Sequence, residues 1–246
     1  MSKDLFSKQA EAYSRYRPSY PPELFDYIVQ FVENKFNAWD CATGNGQAAT
    51  QLAVHFKKVM ATDISSKQLE LAKQVNNIEY LTCPAEQTPF LENTFDLITI
   101  AQAYHWFDFK AFEKEAYRVS KRGAVIAAWG YNLITTHDAS VDIIIEKFYS
   151  DIIGPYWDTE RKFVEENYKT VPFNFSPLPV KEFFIQGQWL REDLLGYLNS
   201  WSAVRHFITD KNYDPVSLIM EELSTHWKKD EVKKVTFPLF LKMGRM

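Results

Sequence analysis

The sequence has few of the residues that build disulfide frameworks or metal centres. Only two of its 246 residues are cysteines, Cys41 and Cys83, and both fall at the ends of predicted strands. Two cysteines are too few for a disulfide framework and predict buried thiols in a reducing compartment. The five histidines are scattered without the spacing of metal ligands. They are His55, His105, His137, His206 and His226. We therefore expect no metal.

Long apolar runs and an excess of basic residues are also lacking. No stretch reaches the roughly 20 consecutive apolar residues that a membrane span needs, and the N-terminus has no apolar signal core. The 28 lysines and arginines are outnumbered by 32 acidic residues, for a net charge of -4. No overall basic field attracts nucleic acid or an anionic membrane. We expect a soluble, cytoplasmic protein, monomeric or homodimeric, that binds neither.

Aromatic residues, by contrast, are abundant. They make up 16% of the chain, within a hydrophobic share of 46%. This composition favours a large core and an aromatic-lined pocket. The length suits one α/β domain with an elaborate cap better than two full domains.

Short apolar runs alternate with amphipathic helical patterns as far as Gly130. This alternation is typical of a doubly wound parallel sheet. After Gly130 the patterns are mostly helical, with two further strands. We therefore predict an α/β fold, a doubly wound, mainly parallel seven-stranded sheet with helical cap insertions. Its parts are an N-terminal lid (1–21), a nucleoside-binding core (22–130), and cap insertions with the last two strands (131–246).

A glycine-rich segment, "ATGNGQ", follows the first predicted strand. Gly44 and Gly46 fill two places of a G-x-G-x-G pattern, and Ala42 stands in the first. Such a turn lets backbone N–H groups approach a ligand at the carboxyl ends of the strands. Asp63 ends the second strand, where a carboxylate can bond ribose hydroxyls. Alternatively, Asp63 only caps the following helix.

The residues around this loop indicate which nucleoside it suits. The third glycine of a dinucleotide fingerprint is missing. Asp40, just before the turn, would repel a pyrophosphate but could pair with a positive group. S-adenosylmethionine carries an ammonium and a sulfonium, so it fits this loop better than a dinucleotide.

Five segments in order resemble class I S-adenosylmethionine-dependent methyltransferases. They are "WDCATGNGQ", "ATDIS", "PAEQTPF", "FDLITIAQAYHWFD" and "EAYRVSKRGAVIAAW". The opening "FSKQAEAYSRYRPSYP" and the later "GPYWDTER", "YLNSWSAVRHF" and "FPLFLKMGR" are similar to a small-molecule branch that includes trans-aconitate methyltransferase-like proteins. The resemblance implies the Rossmann-like methyltransferase fold, S-adenosyl-L-methionine as cofactor and a small-molecule acceptor.

The resemblance assigns donor-binding roles to eleven residues. They are Tyr13, Arg17, Asp40, Ala42, Gly44, Gly46, Asp63, Ile64, Ala85, Glu86 and Gln102. Tyr13 and Arg17 would form the lid, which could equally be a surface helix. Ala42 departs from the glycine pattern, and its methyl group is compatible with donor binding if the backbone angle φ there is negative.

The segment "YHWFD" follows the fourth strand, where the reacting methyl group is expected. His105 could act as a base or orient the acceptor, and Trp106 could face the sulfonium. The alternative is a buried aromatic corner with a hydrogen-bonded histidine. Five cap residues mix aromatic and cationic groups and would suit a small acceptor with an acid group, although helix packing would use them similarly. They are Tyr156, Trp157, Arg161, Trp201 and Arg205.

These features predict an S-adenosylmethionine-dependent methyltransferase whose acceptor is a small molecule, with a carboxylic acid as one candidate. A carboxylate needs no base, whereas a hydroxyl or amine must lose a proton. Two other readings remain: a non-catalytic protein that binds S-adenosylmethionine or a nucleoside, and a nicotinamide-dependent oxidoreductase.

Overall fold

An eight-stranded mixed sheet runs through residues 16–246, the part of the chain that the computed structural model describes. Tyr13 and most of the predicted 1–21 lid lie outside these residues. The strands are β1 (Asn37–Cys41), β2 (Lys58–Asp63), β3 (Ile78–Thr82), β4 (Phe95–Ala101), β5 (Ser120–Tyr131), β6 (Ser176–Pro177), β7 (Phe183–Trp189) and β8 (Lys233–Arg245). Seven of them correspond to the predicted strands, and β6 is an additional two-residue pairing.

The first five strands are parallel and lie in the order β3-β2-β1-β4-β5. The chain therefore builds the sheet outward from β1 in one direction, then returns to start β4 on the other side of β1. Asp40 pairs with Ala61 of β2 and with Thr99 of β4. A crevice forms at such a reversal, because the connections leave the two neighbouring strands towards opposite faces.

The last strand in the chain, β8, runs antiparallel to its neighbours and lies between β5 on one side and β6 and β7 on the other. Its residues 239–245 pair with β5, while residues 233–239 pair with β7. β6 joins the end of β8. The sheet is thus mainly parallel, as predicted, and its antiparallel strands lie together at one edge.

Nine α-helices flank the sheet within residues 16–246. They are α1 (Pro22–Val29), α2 (Gln47–Leu52), α3 (Ser66–Glu70), α4 (Phe109–Val119), α5 (Ala139–Lys147), α6 (Arg161–Glu165), α7 (Arg191–Asn199), α8 (Ser202–Lys211) and α9 (Met220–His226). Three begin with a side-chain cap, because the side chains of Ser65, Asp108 and Asp138 accept backbone N–H groups of the first turns of α3, α4 and α5.

Both faces of the sheet are covered by apolar side chains. Successive residues of β1 point to opposite faces, so Ala38 joins the core beneath α1 and α2, while Trp39 joins the core beneath α4. Both residues are fully buried. Burial on two faces explains why β1 and β4 read as continuous apolar runs.

One boundary expected from the sequence is wrong. The residues "KRG" predict that α4 continues until just before Gly123, but α4 ends at Val119 and β5 begins with the next residue. Ser120 pairs with Phe95 of β4, and Gly123, with φ of +80°, lies in an irregularity of the pairing. Pairing with β4 overrides the local helix-end signal.

Three exclusions made from the sequence can be compared with the structure. Cys41 and Cys83 are both free thiols. None of the helices in residues 16–246 combines the length and the apolar character that a bilayer crossing requires. Those residues also contain no group of three or more His, Cys, Asp or Glu side chains arranged to hold a metal ion.

The packing of α4 predicts which of its residues stabilise the fold. Phe112 is fully buried under the sheet, so Phe112→Ala should lower the free energy of unfolding by about 3–5 kcal/mol through lost burial and a cavity. Lys114→Ala, an exposed site on the same helix, should change it little. Urea denaturation followed by circular dichroism measures both. Equal midpoints for the two variants would contradict the packing.

Candidate active site

The loop that follows β1 has left-handed backbone geometry at three positions. The angle φ is +54° at Ala42, +58° at Gly44 and +82° at Gly46. The condition attached to Ala42, a negative φ, is therefore not met. Ala42 adopts a conformation that favours glycine, so the loop keeps the glycine-loop shape at a cost in backbone energy.

Gly46 is needed for a close approach as well as for its backbone angle. A Cβ atom at this position would lie 2.5 Å from the Tyr80 hydroxyl on β3. Burial raises the pKa of Tyr80 to about 12, so this hydroxyl stays protonated, and it donates to the Lys73 carbonyl at 2.9 Å. Gly46 therefore lets the start of α2 pack against the neighbouring strand.

Asp63, at the end of β2, holds the loop from the side. One carboxylate oxygen accepts the Gly44 N–H at 2.8 Å, and the other accepts the Ser65 N–H at 2.9 Å. Asp63 thus contacts the start of the α3 segment, as the capping alternative expects, and also binds the glycine loop. Each carboxylate oxygen can accept more than one hydrogen bond, so contact with the loop is compatible with the predicted ribose role of Asp63, which stays a prediction.

Asp40 is a second carboxylate in the same place, and it is fully buried. It accepts hydrogen bonds from the hydroxyls of Thr43 and Thr99. Burial raises its pKa to about 6, and the negative charge of Asp63 acts in the same direction. Two carboxylates that repel each other would be relieved by a positively charged ligand, whereas a pyrophosphate would add to the repulsion.

A cleft opens at the same edge of the sheet, where the chain leaves β4. It encloses about 530 Å³ free of protein atoms, part of it open to solvent. The lining residues come from the end of β4, the segment before α6 and the start of α8. They are Arg17, Gln102, His105, Trp106, Trp157, Asp158, Arg161, Trp201 and Ser202.

His105 is the buried titratable group of this cleft. Its Nδ1 lies 2.8 Å from the hydroxyl of Tyr168, and its ring lies 4.7 Å from that of Trp106, centroid to centroid. Burial, and secondly the positive charge of Arg161, lower the pKa of His105 to about 3. The imidazole is therefore neutral at physiological pH and only weakly basic.

Arg161 brings a positive charge into the cleft from the first residue of α6. Its Nε donates to the Tyr149 hydroxyl at 2.8 Å, and its guanidinium lies over the Trp157 ring, 4.7 Å from the centroid. Within residues 16–246 no carboxylate oxygen comes within 4.0 Å of its nitrogens. The side chain is thus fixed by aromatic neighbours, with its terminal nitrogens left for a ligand.

Arg17 is a second guanidinium that lines this cleft. Its terminal nitrogens donate to the Tyr131 hydroxyl at 3.0 Å and the Ser200 carbonyl at 3.1 Å. The lid role predicted for Arg17 stays a prediction, although the residue does line the cleft together with Gln102.

The other predicted site residues divide between the two regions. Ala85 is buried beside the strand ends, and the Glu86 carboxylate accepts the Asp108 N–H at 3.1 Å. Ile64 is half-buried directly after Asp63. Trp157 and Trp201 line the cleft, whereas the Tyr156 hydroxyl donates to Asp210 at 2.8 Å, on the far side of α8.

Arg205 is also on α8, one turn beyond Trp201, and does not line the cleft. The structure therefore brings together three of the five predicted acceptor residues, and the acceptor roles of all five stay predictions.

Comparison with known proteins shows the family to which this fold belongs. Residues 39–128 match the family described as "Methyltransferase domain". A Dictyostelium discoideum protein named as a methyltransferase is 31% identical, over 98% of this chain and 95% of its own length. The solved structure of a type II methyltransferase from Anaeromyxobacter dehalogenans is 35% identical, with a TM-score of 0.86 over 94% of this chain and 98% of that one.

The chain belongs to the class I S-adenosylmethionine-dependent methyltransferases. The cofactor is accordingly S-adenosylmethionine, and the acidic, left-handed loop fits its charges. In this methyltransferase the carboxylates of Asp40 and Asp63 lie beside the left-handed loop from Ala42 to Gly46, and their roles toward the ammonium and sulfonium groups of the donor stay predictions.

Several residues of the methyltransferase site escape sequence reasoning. Thr99 is an exception, because it lies in the predicted fourth strand, and in the structure it pairs with Asp40. Asp158 lies in the "GPYWDTER" segment and lines the cleft, although the sequence assigns no role to it. Tyr149 and Tyr168 carry no motif of their own, and they bond to the cleft residues Arg161 and His105 only through the path of the cap around α6.

The left-handed Ala42 predicts that glycine is better tolerated than alanine here. Ala42→Gly should raise the free energy of unfolding by up to about 1 kcal/mol, because it removes the cost of a side chain at positive φ. Ala49→Gly, inside α2, should lower stability instead. Urea denaturation compares the two variants. A lower free energy of unfolding for Ala42→Gly than for the wild type would contradict the predicted backbone strain at Ala42.

The carboxylate of Asp63 should govern donor affinity. Asp63→Asn should raise the dissociation constant of S-adenosylmethionine about 10- to 100-fold, because it weakens charged hydrogen bonds to ribose and loop. Isothermal titration calorimetry measures it, with Glu79→Gln on the exposed side of β3 as control. An affinity equal to that of the control would remove Asp63 from the donor site.

Proposed function

We propose that this methyltransferase transfers the methyl group of S-adenosylmethionine to a small carboxylic acid held by Arg161. One observation carries the proposal: a guanidinium that faces the cleft without a carboxylate partner in residues 16–246. The resemblance of the flanking segments to trans-aconitate methyltransferase-like proteins supports the same class of acceptor.

The neighbours of Arg161 prepare it for an anion. Tyr149 takes the Nε–H and, in turn, donates to Glu165, so the orientation of the guanidinium is fixed from behind. Trp157 covers one face of the guanidinium. A fixed guanidinium fork matches a carboxylate geometrically and binds it through charge-assisted hydrogen bonds.

The acid–base chemistry of the cleft also favours an acid as acceptor. A hydroxyl or amine acceptor must lose a proton, and a histidine whose pKa is about 3 is a poor base for that step at neutral pH. A carboxylate is already ionised and nucleophilic. His105, as the structure holds it, therefore matches an acceptor that needs no base from this residue.

The remaining task of the protein is to position the acceptor and exclude water. S-adenosylmethionine, when bound, supplies a methyl group already activated by a sulfonium. Trp106, Trp157 and Trp201 provide apolar walls that hold the body of a small acid next to the strand ends. Holding the reacting atoms about 3–3.5 Å apart is the main source of catalysis in such a displacement.

The proposal predicts that Arg161 controls the use of acids. Radiolabelled methyl transfer to a panel of small mono-, di- and tricarboxylic acids, including trans-aconitate, should be measured with the wild type. Arg161→Gln should lower kcat/KM for the accepted acid about 10- to 100-fold, because a charge-assisted fork is lost. Donor affinity should stay unchanged.

Arg205→Gln is the matched control, since Arg205 lies on α8 away from the cleft. It should stay within about twofold of the wild type. Transfer to phenols or amines with none to acids, or equal transfer by Arg161→Gln and Arg205→Gln, would overturn the proposal.

A further inference from the structure

Tyr168 connects to the cleft through a single side chain, His105. Tyr168 is fully buried, and its hydroxyl lies 2.8 Å from His105 Nδ1. The tyrosine ring is packed against Tyr104 and Phe240, at centroid distances of 5.9 and 4.9 Å. The position of the hydroxyl is therefore set by the core and not by solvent.

The surroundings of that hydroxyl determine which partner carries the proton. Burial raises the pKa of Tyr168 above its usual range, so the hydroxyl is protonated. A buried hydroxyl hydrogen needs an acceptor, and His105 Nδ1, at 2.8 Å, is the one that this hydroxyl contacts within residues 16–246.

The backbone that delivers Tyr168 adopts an uncommon conformation. The N–H groups of Asn167 and Tyr168 close the end of α6, at 2.9 Å from the Val164 carbonyl and 2.8 Å from that of Phe163. Both residues are left-handed, with φ of +55° and +57°. Asparagine tolerates this region, but a tyrosine there is strained.

The Asn132 side chain helps to hold this turn, because its amide donates to the Asn167 side-chain oxygen at 2.7 Å. Strain that the surrounding structure maintains is a reason to look for a function at the residue that bears it. The one polar side chain that the Tyr168 hydroxyl contacts within residues 16–246 is His105.

We infer that Tyr168 is a positioning residue: it fixes His105 with the proton on Nε2, so that His105 donates a hydrogen bond to the acceptor and does not remove its proton. Within residues 16–246 no group forms a hydrogen bond with Nε2 of His105, and the residue lines the cleft together with Arg161. The ring nitrogen available to a ligand is therefore an N–H group. The tautomer of His105 does not depend on the proposed function. Only the statement that the bound group is an acid rests on that function.

The tautomer can be measured without any acceptor. In protein labelled with ¹⁵N-histidine, long-range ¹H–¹⁵N correlation spectra distinguish protonated from unprotonated ring nitrogens, and His105→Gln identifies the signals of His105 among the five histidines. The wild type should show His105 with the proton on Nε2 and none on Nδ1. A proton on Nδ1 in the wild type would overturn the inference, because the hydroxyl could not then donate to it.

Tyr168→Phe tests the positioning, and Tyr104→Phe is its matched control. The Tyr104 hydroxyl is buried in the same aromatic cluster but donates to the Pro172 carbonyl at 2.8 Å instead. Tyr168→Phe should let the proton of His105 populate Nδ1, while Tyr104→Phe should leave it on Nε2. Unchanged His105 signals in a folded Tyr168→Phe protein would refute the positioning role.

Turnover distinguishes a donor from a base at His105. A glutamine amide can donate near the position of Nε2, so in methyl transfer to the pooled acid panel His105→Gln should retain clearly more activity than His105→Ala. His105→Ala and Tyr168→Phe should each lose about tenfold, since the donor is removed or misdirected. Equal losses in His105→Gln and His105→Ala would favour a base. If acids are not acceptors, Arg161→Gln reveals that separately, while the tautomer result stands.

Discussion

The pairing of β1 between β2 and β4 is the constraint on which the active site depends. It puts Asp40, the glycine loop and Asp63 on one side of the reversal in strand order and the "YHW" segment on the other. Because all three strands are parallel, their carboxyl ends meet at one edge, and the loops that leave them share one crevice. The strand order alone therefore places the donor site next to the proposed acceptor cleft.

The two halves of the crevice carry opposite charges and therefore suit ligands of opposite charge. On the β1–β2 side, two carboxylates repel each other, and burial raises the pKa of Asp40 to about 6. On the β4 side, Arg17 and Arg161 outweigh the single carboxylate of Asp158, and His105 is kept neutral by burial and by the charge of Arg161. In the proposed function, a cationic donor suits the first half and an anionic acceptor the second, and their attraction would help to align the reacting groups.

The short helix α6 organises the acceptor half. Arg161 opens the helix and Tyr168 follows the turn that closes it, so five helical residues connect the guanidinium with the partner of His105. In the proposed function the cap is therefore more than a cover, because it carries the groups that would orient the acceptor and the imidazole. The strained backbone at Tyr168 is understandable in these terms, since packing around Phe240 and Tyr104 holds it.

The sequence by itself determined the strand pattern, the caps at Ser65 and Asp108, and the acidic glycine loop, because these depend on periodicity and on contacts within a few residues. It did not determine the backbone angle of Ala42, the early start of β5 or the partner of His105. The Tyr168 hydroxyl lies 63 residues along the chain from His105. Only the folded cap decides that contact, since burial and long-range packing, unlike local pattern, select which distant side chains meet and which protonation state each can keep.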